Sequence, residues 1–515
     1  MKKLILGMEL GSTRIKSVLI NERGMVEASG AFEWENQLKN GLWTYSLEDV
    51  WKGLRSSYAK LNKDYVEKFG EPIKQLDGMG ISAMMHGYLA FDKEDNLLVP
   101  FRTWRNTNTA QAAEALTKEF GFNMPQRWSA SHYYQAVLNK EEHVDKVAFL
   151  TTLAGYVHWR LTGKKVLGVG DASGMFPIND AAYDERMLGK YNALLAKNGI
   201  NLDMGTLLPE VLLAGENAGR LTEEGAKLLD PDGNLCAGIP FCPPEGDAGT
   251  GMTATNAVKE RTGNVSAGTS AFVMVVMEKQ LSKVYPEIDV VTTPAGKPVA
   301  MVHVNNFTSE INAWANLFAE VITLSGGEID KGDLFEKLFK KSTESDEKTG
   351  GLTGYNFFSG EPIAGVETGR PLFLRQPEGK LNLANFMQMQ IYSALGALSL
   401  GMKILQEEKV RVDNICGHGG FFKTEFVGAN AMSAAVNAPV TVMKNAGEGG
   451  AWGIALLALY AVTKKGSLEE FLTRIFKDTE KSTVTASAEE RSKFAAFMEN
   501  YKKGLAIEKL ATKAL

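Results

Sequence analysis

Cysteine is scarce in this chain of 515 residues, with three, at positions 236, 242 and 416. Odd in number and far apart, they give neither a disulfide framework nor a zinc site, and they point to a reducing compartment, the cytoplasm. Basic surface is scarce too. Lys and Arg total 56 against 61 Asp and Glu, a formal net charge of −5, and no stretch concentrates cations, so no nucleic-acid partner is expected. Long apolar runs are missing: the longest, Ala451 to Val462, is too short to span a bilayer and reads as a buried helix. The apolar run after Met1-Lys2-Lys3 is cut at Glu9, so neither an export signal nor membrane association is expected. Gly-x-x-x-x-Gly-Lys-Ser/Thr occurs nowhere, which removes a P-loop. Gly168-Val169-Gly170-Asp171-Ala172-Ser173-Gly174 has the wrong final spacing for a dinucleotide fingerprint.

What is present is enough chain for two cores, hence two domains of similar size. Leu4 to Leu10 and Ile15 to Ile20 read as strands joined at Gly11-Ser12-Thr13, and a third strand follows over Val26 to Trp34. Glu9, Ser12, Thr13 and Lys16 put a carboxylate, two hydroxyls and an amine beside a glycine, a set able to hold phosphate and magnesium or simply to make a polar turn. Ser46 starts a helix to Phe69 whose Trp51, Leu54, Tyr58, Leu61, Tyr65 and Phe69 should be core. Leu76 to Ser82 returns as a strand that ends on Met85-His86-Gly87. The Trp104-Arg105-Asn106 segment offers a flat ring and hydrogen-bonding groups of the kind sugars bind.

Near the middle, Pro243-Pro244-Glu245-Gly246-Asp247-Ala248-Gly249 sets one carboxylate, Asp247, among small residues, suited to a base, a metal partner or a helix cap. Glu245 is expected to point to solvent, the alternative being a place close to Asp247 where its charge raises the Asp247 pKa. Beyond it, Asn264 to Val276 repeats the grammar of the first hairpin, with Gly268-Thr269-Ser270 at the turn, and suggests a duplicated domain. Phe386 to Leu405 reads as a long helix, and Val410 to Cys416 as a strand ending on Gly417-His418-Gly419-Gly420, bare backbone against which a base or ribose can lie. Gly447-Glu448-Gly449-Gly450-Ala451 opens a small-faced helix.

These pieces in this order resemble the FGGY family of carbohydrate kinases, and Met-His-Gly at 85–87 is similar to its xylulokinase branch. The resemblance covers nearly the whole chain. It implies an α/β fold of two ribonuclease-H-like domains, of the actin and hexokinase type, with an interdomain cleft: residues 1–252 for sugar, 253–515 for nucleotide. It implies ATP-dependent phosphorylation of a ketopentose or related polyol, with Asp247 as general base. Gly11, Ser12, Thr13 and Lys16 match a first phosphate loop, Gly268, Thr269 and Ser270 a second, and Gly417, Gly419, Gly420 and Thr424 the adenosine pocket. Met85, His86, Gly87, Trp104 and Asn106 match the sugar side, and Glu9 with Asp247 the magnesium site. A homodimer is common in the family.

Three departures from that pattern stand out. Glu9 stands where the family usually has Asp, Asn106 and Asn108 where it favours Asp then Arg, and the adenine-side Asn falls at Thr424 or Glu425. The Glu9, Asn106 and Asn108 departures motivate a second reading, a sugar- or nucleotide-binding protein that kept the fold and lost phosphoryl transfer.

Overall fold

The structure, a computed structural model, describes residues 3–443 and 449–514. Met1 and Lys2 of the basic start, and Gly447 and Glu448 of the expected helix opening, lie outside the described residues. The chain forms two compact units.

In the first unit, strands β1 (Ile5–Leu10), β2 (Arg14–Ile20), β3 (Val26–Glu33), β4 (Gly78–Ala83) and β5 (Glu245–Gly246) make one sheet in the order β5-β4-β1-β2-β3. The three opening strands are antiparallel, as their turn residues suggest, while β4 runs parallel to β1 and β5 parallel to β4. Helix α1 (Leu47–Phe69) packs on β2 and β3, capped by Ser46, whose side chain accepts the Asp49 N–H at 3.0 Å. Trp51, Leu54, Tyr58 and Leu61 are buried as their spacing predicts, but Phe69, in the last turn, is exposed.

Helix α2 (Asp247–Ala254) follows β5 directly, and α3 (Gly449–Thr463), far along the chain, packs on α2, β1 and β4. Small residues allow that contact: a Cβ on Gly7 would overlap the Ala451 carbonyl, and one on Gly453 the Thr250 carbonyl. The first unit therefore extends up to Lys259 and takes back Lys283–Val299 and the α3 segment as far as Asp478. That division differs from a single cut after residue 252, because α3 is buried on nearly all sides and its sequence does not reveal which sheet it covers.

In the second unit β6 (Thr262–Ala267), β7 (Ala271–Val276), β8 (Pro298–Val304, in this unit from Ala300), β9 (Asn414–His418), β10 (Val440–Met443) and β11 (Lys481–Val484) lie in the order β8-β7-β6-β9-β10-β11. β7 is antiparallel to β6, β9 parallel to β6 and β10 parallel to β9, the same pairing senses as β2, β1, β4 and β5. The repeated hairpin in the sequence is thus the visible part of a repeated sheet. The long helix spans Leu383–Glu407, and the charged C-terminal stretch divides into Leu468–Ile475, β11 and Ala488–Ala514. Among the described residues no helix is long and apolar enough to cross a membrane.

Candidate active site

Asp247 begins α2 at the end of β5, where the sheet delivers it beside the loop that follows β4. Its Oδ1 accepts the Met85 N–H at 3.1 Å and the Ala248 N–H at 3.0 Å. No hydrogen bond from another residue to Oδ2 is present among the described residues, and the side chain is exposed. The carboxyl pKa is raised, chiefly by the dense protein around it, against the pull of those N–H groups and of the Arg127 charge. The sequence shows no cation near Asp247; the fold supplies one from 120 positions upstream.

Glu9 sits across the first hairpin from Lys16. Its Oε2 accepts the Ala451 N–H at 3.1 Å, so the carboxylate meets the N-terminus of α3, where the helix dipole favours negative charge. Burial and the Asp247 charge raise its pKa to about 7, against the Ala451 hydrogen bond and the Lys16 charge. No group of three or more His, Cys, Asp or Glu suited to a metal occurs among the described residues. Glu9 and Asp247 are oxygen donors, the ligand type that suits magnesium, which keeps most of its water and takes the rest of its oxygens from phosphate.

The Gly11–Thr13 turn closes with the Gly11 N–H donating to the Arg14 carbonyl at 2.9 Å. Three aromatic donors grip it. Trp34 Nε1 donates to the Gly11 carbonyl at 2.7 Å, the Tyr45 hydroxyl to the Ser12 carbonyl at 2.6 Å, and Trp104 Nε1 to Ser12 Oγ at 3.3 Å. Trp104 is therefore tied to the first phosphate-loop candidate and packs on the core of this unit.

Asn106 is held by the backbone around it. Its Oδ1 accepts the Trp43 N–H at 2.9 Å, and its Nδ2 donates to the carbonyls of Trp43 at 2.8 Å and Thr103 at 3.0 Å. With both amide hydrogens committed and the side chain buried, it braces a loop. Met85 and His86 are each 5% exposed; His86 has a positive φ of 69°, and its Nδ1 lies 3.1 Å from the Gly174 carbonyl. Gly87, at φ 90°, allows the sharp turn.

Glu245 does not point to solvent. At 1% exposure its carboxylate accepts the N–H groups of Gly170 at 3.2 Å and Asp171 at 3.0 Å. Gly168 and Gly170 are glycines because a Cβ on either would overlap that carboxylate. The 168–174 stretch, with the wrong spacing for a dinucleotide fingerprint, ends a short strand and forms a one-turn helix, Val169–Ala172, whose N-terminal N–H groups meet Glu245. Asp171, fully buried, takes a 2.6 Å hydrogen bond from Thr152 on Oδ2 and has no partner for Oδ1 among the described residues. Burial raises Asp171 to about 7 and Glu245 to about 8. The glycine spacing was the only sequence signal for this cluster.

The second unit holds the other candidates. Its Gly268–Ser270 turn is tighter than the first, the Gly268 N–H donating to the Ser270 carbonyl at 3.0 Å, and is secured by Phe307 N–H to the Thr269 carbonyl at 2.8 Å. Gly417 is buried and accommodates the Phe422 ring, and Gly419, at φ 114°, lies against the Ala267 backbone. Gly420 is exposed, with open space where a Cβ would go, and Thr424 is buried.

The N-terminal domain of the FGGY family of carbohydrate kinases matches residues 4–249, and its C-terminal domain matches residues 263–462. The chain belongs to the FGGY family of carbohydrate kinases. It is 25% identical to a xylulose kinase of Haemophilus influenzae over 78% of each chain, and 22% identical to a gluconokinase of Bacillus subtilis over 95% of this chain and 94% of that one. Its fold superposes on a xylulose kinase from Rhodospirillum rubrum with a TM-score of 0.80 at 15% identity, covering 98% of this chain and 99% of that one. As an FGGY member it is a carbohydrate kinase, and ATP is the phosphoryl donor the family implies.

Proposed function

We propose that this kinase transfers the γ-phosphoryl group of ATP to a hydroxyl of a ketopentose or related neutral polyol, with Asp247 as general base. The observation that carries the reading is the Asp247 carboxylate. One oxygen is fixed by two backbone N–H groups, and the other is left to accept a proton from an attacking alcohol. A raised pKa suits it to hold that proton once transferred. The neighbouring Met-His-Gly loop, similar to the xylulokinase branch, favours a ketopentose over the glycerol and gluconate that other relatives' names carry.

The remaining residues position and stabilise. The Gly11–Thr13 turn, with Lys16 just beyond it, and the Gly268–Ser270 turn offer N–H groups and hydroxyls to phosphate oxygens, and Gly419 and Gly420 offer bare backbone to the nucleoside. Glu9 and Asp247 would hold magnesium, which supplies charge neutralisation on the phosphate oxygens. ADP release measured across ketopentoses, triols and aldonates tests the reading. The highest kcat/KM is expected for a ketopentose; ADP release that no sugar stimulates contradicts it.

A further inference from the structure

Arg127 is stitched to the sugar-side loop. Its carbonyl accepts the Gly87 N–H at 3.1 Å, Ser129 Oγ donates to the Gly87 carbonyl at 2.6 Å, and the Trp128 ring stacks 6.2 Å from that of His86. Those loop residues directly follow Met85, which holds Asp247, and the Arg127 charge acts on the Asp247 carboxyl. A guanidinium so placed is the natural partner for a carboxylate, which it binds with two parallel hydrogen bonds.

In this chain that guanidinium is already paired. Arg127 Nη2 bonds Oδ2 of Asp289, and Asp289 is in turn fixed by Asn123, whose Nδ2 donates to its Oδ1 at 3.0 Å. Asn123 also donates to the Ile288 carbonyl at 3.0 Å, which anchors the pair to the backbone. Asp289 is 8% exposed, so water screens the pair weakly.

We propose that Asp289 is a specificity-determining residue: by neutralising Arg127 it sets the sugar side for uncharged acceptors and against sugar acids. An aldonate must break the Arg127–Asp289 pair, leaving a buried carboxylate without its partner, whereas a neutral ketose asks nothing of it. The inference rests on the sugar-kinase reading and deepens it.

The test compares wild type with Asp289→Asn on D-xylulose and D-gluconate, by kcat/KM and by calorimetric Kd. The variant is expected to raise the gluconate-to-xylulose ratio at least ten-fold, mainly through gluconate KM and Kd, and Arg127→Gln in the same background should remove the gain. Should Asp289→Asn fail to fold, Asp289→Ser reads the same ratio, and Arg127→Gln alone should not raise it. An unchanged ratio with both sugars weakened equally means a purely structural pair and overturns the inference, as does a wild type that prefers gluconate. The Kd comparison separates the two claims. A ten-fold shift in gluconate Kd without ADP release supports the role of Asp289 and sinks the kinase reading; ADP release with no shift sinks the role of Asp289 alone.

Discussion

The Met85 backbone N–H donates to Oδ1 of Asp247 at 3.1 Å, so the loop that follows β4 sets the orientation of the proposed base. The same approach explains Gly246: a Cβ there would overlap Met85 Cγ and come within 3.1 Å of Asp171 Oδ1. Gly246→Ala is expected to lower kcat about 100-fold, the scale of a displacement of about 1 Å in a reacting group, with little change in secondary structure. Steady-state kinetics beside circular dichroism check this, and an unaltered kcat would show that the contact is incidental.

The aromatic grip on the first turn predicts a divided effect. Trp104→Phe keeps the ring and removes the donor to Ser12 Oγ, so KM for ATP should rise up to about ten-fold, the scale of one hydrogen bond, while KM for the sugar stays put. A direct sugar platform would give the opposite split. Asn106→Ala leaves the Trp43 N–H without its partner and should cost about 1–3 kcal/mol in urea unfolding, again with sugar KM unmoved.

Stability should fall as pH rises. Glu245 and Asp171 have folded pKa values of about 8 and about 7 against ordinary values of 4.5 and 3.8, so between those limits the folded state binds more protons than the unfolded one. Their favourable contribution is complete below about pH 4 and is lost as pH passes through 7 to 8. The urea midpoint is expected to drop between pH 5 and pH 8.5, and Glu245→Gln to flatten that drop. A midpoint that climbs over this range contradicts the buried, partly protonated cluster.

Much of this fold was legible in order along the chain. Each hairpin carries its own signature, a glycine with hydroxyls between two apolar runs, and α1 its own cap and stripe. The Glu245 cluster was not, because its partners lie about 75 positions away and a carboxylate among small residues looks solvent-facing in isolation. The loop bonds of Asn106 were hidden for a related reason: a side-chain amide serves a backbone as readily as a sugar, and only the fold reveals that Trp43 lies opposite. The place of α3 was hidden by its uniform burial.

The Glu9 and Asp247 carboxylates repel each other, and a divalent cation relieves that repulsion. Glu9→Gln is expected to raise the magnesium concentration for half-maximal activity about ten-fold at saturating ATP, read by titration of the chelated enzyme. An unchanged requirement would limit Glu9 to its contact with the N-terminus of α3.

The most direct measurement is ADP release by Asp247→Asn under saturating ATP and ketopentose, with sugar binding followed by calorimetry on the same preparation. Loss of kcat by a factor of 100 to 10,000 or more, with sugar Kd changed only a few-fold, is the predicted result. Turnover within a few-fold of wild type would contradict the assignment of Asp247 as the base.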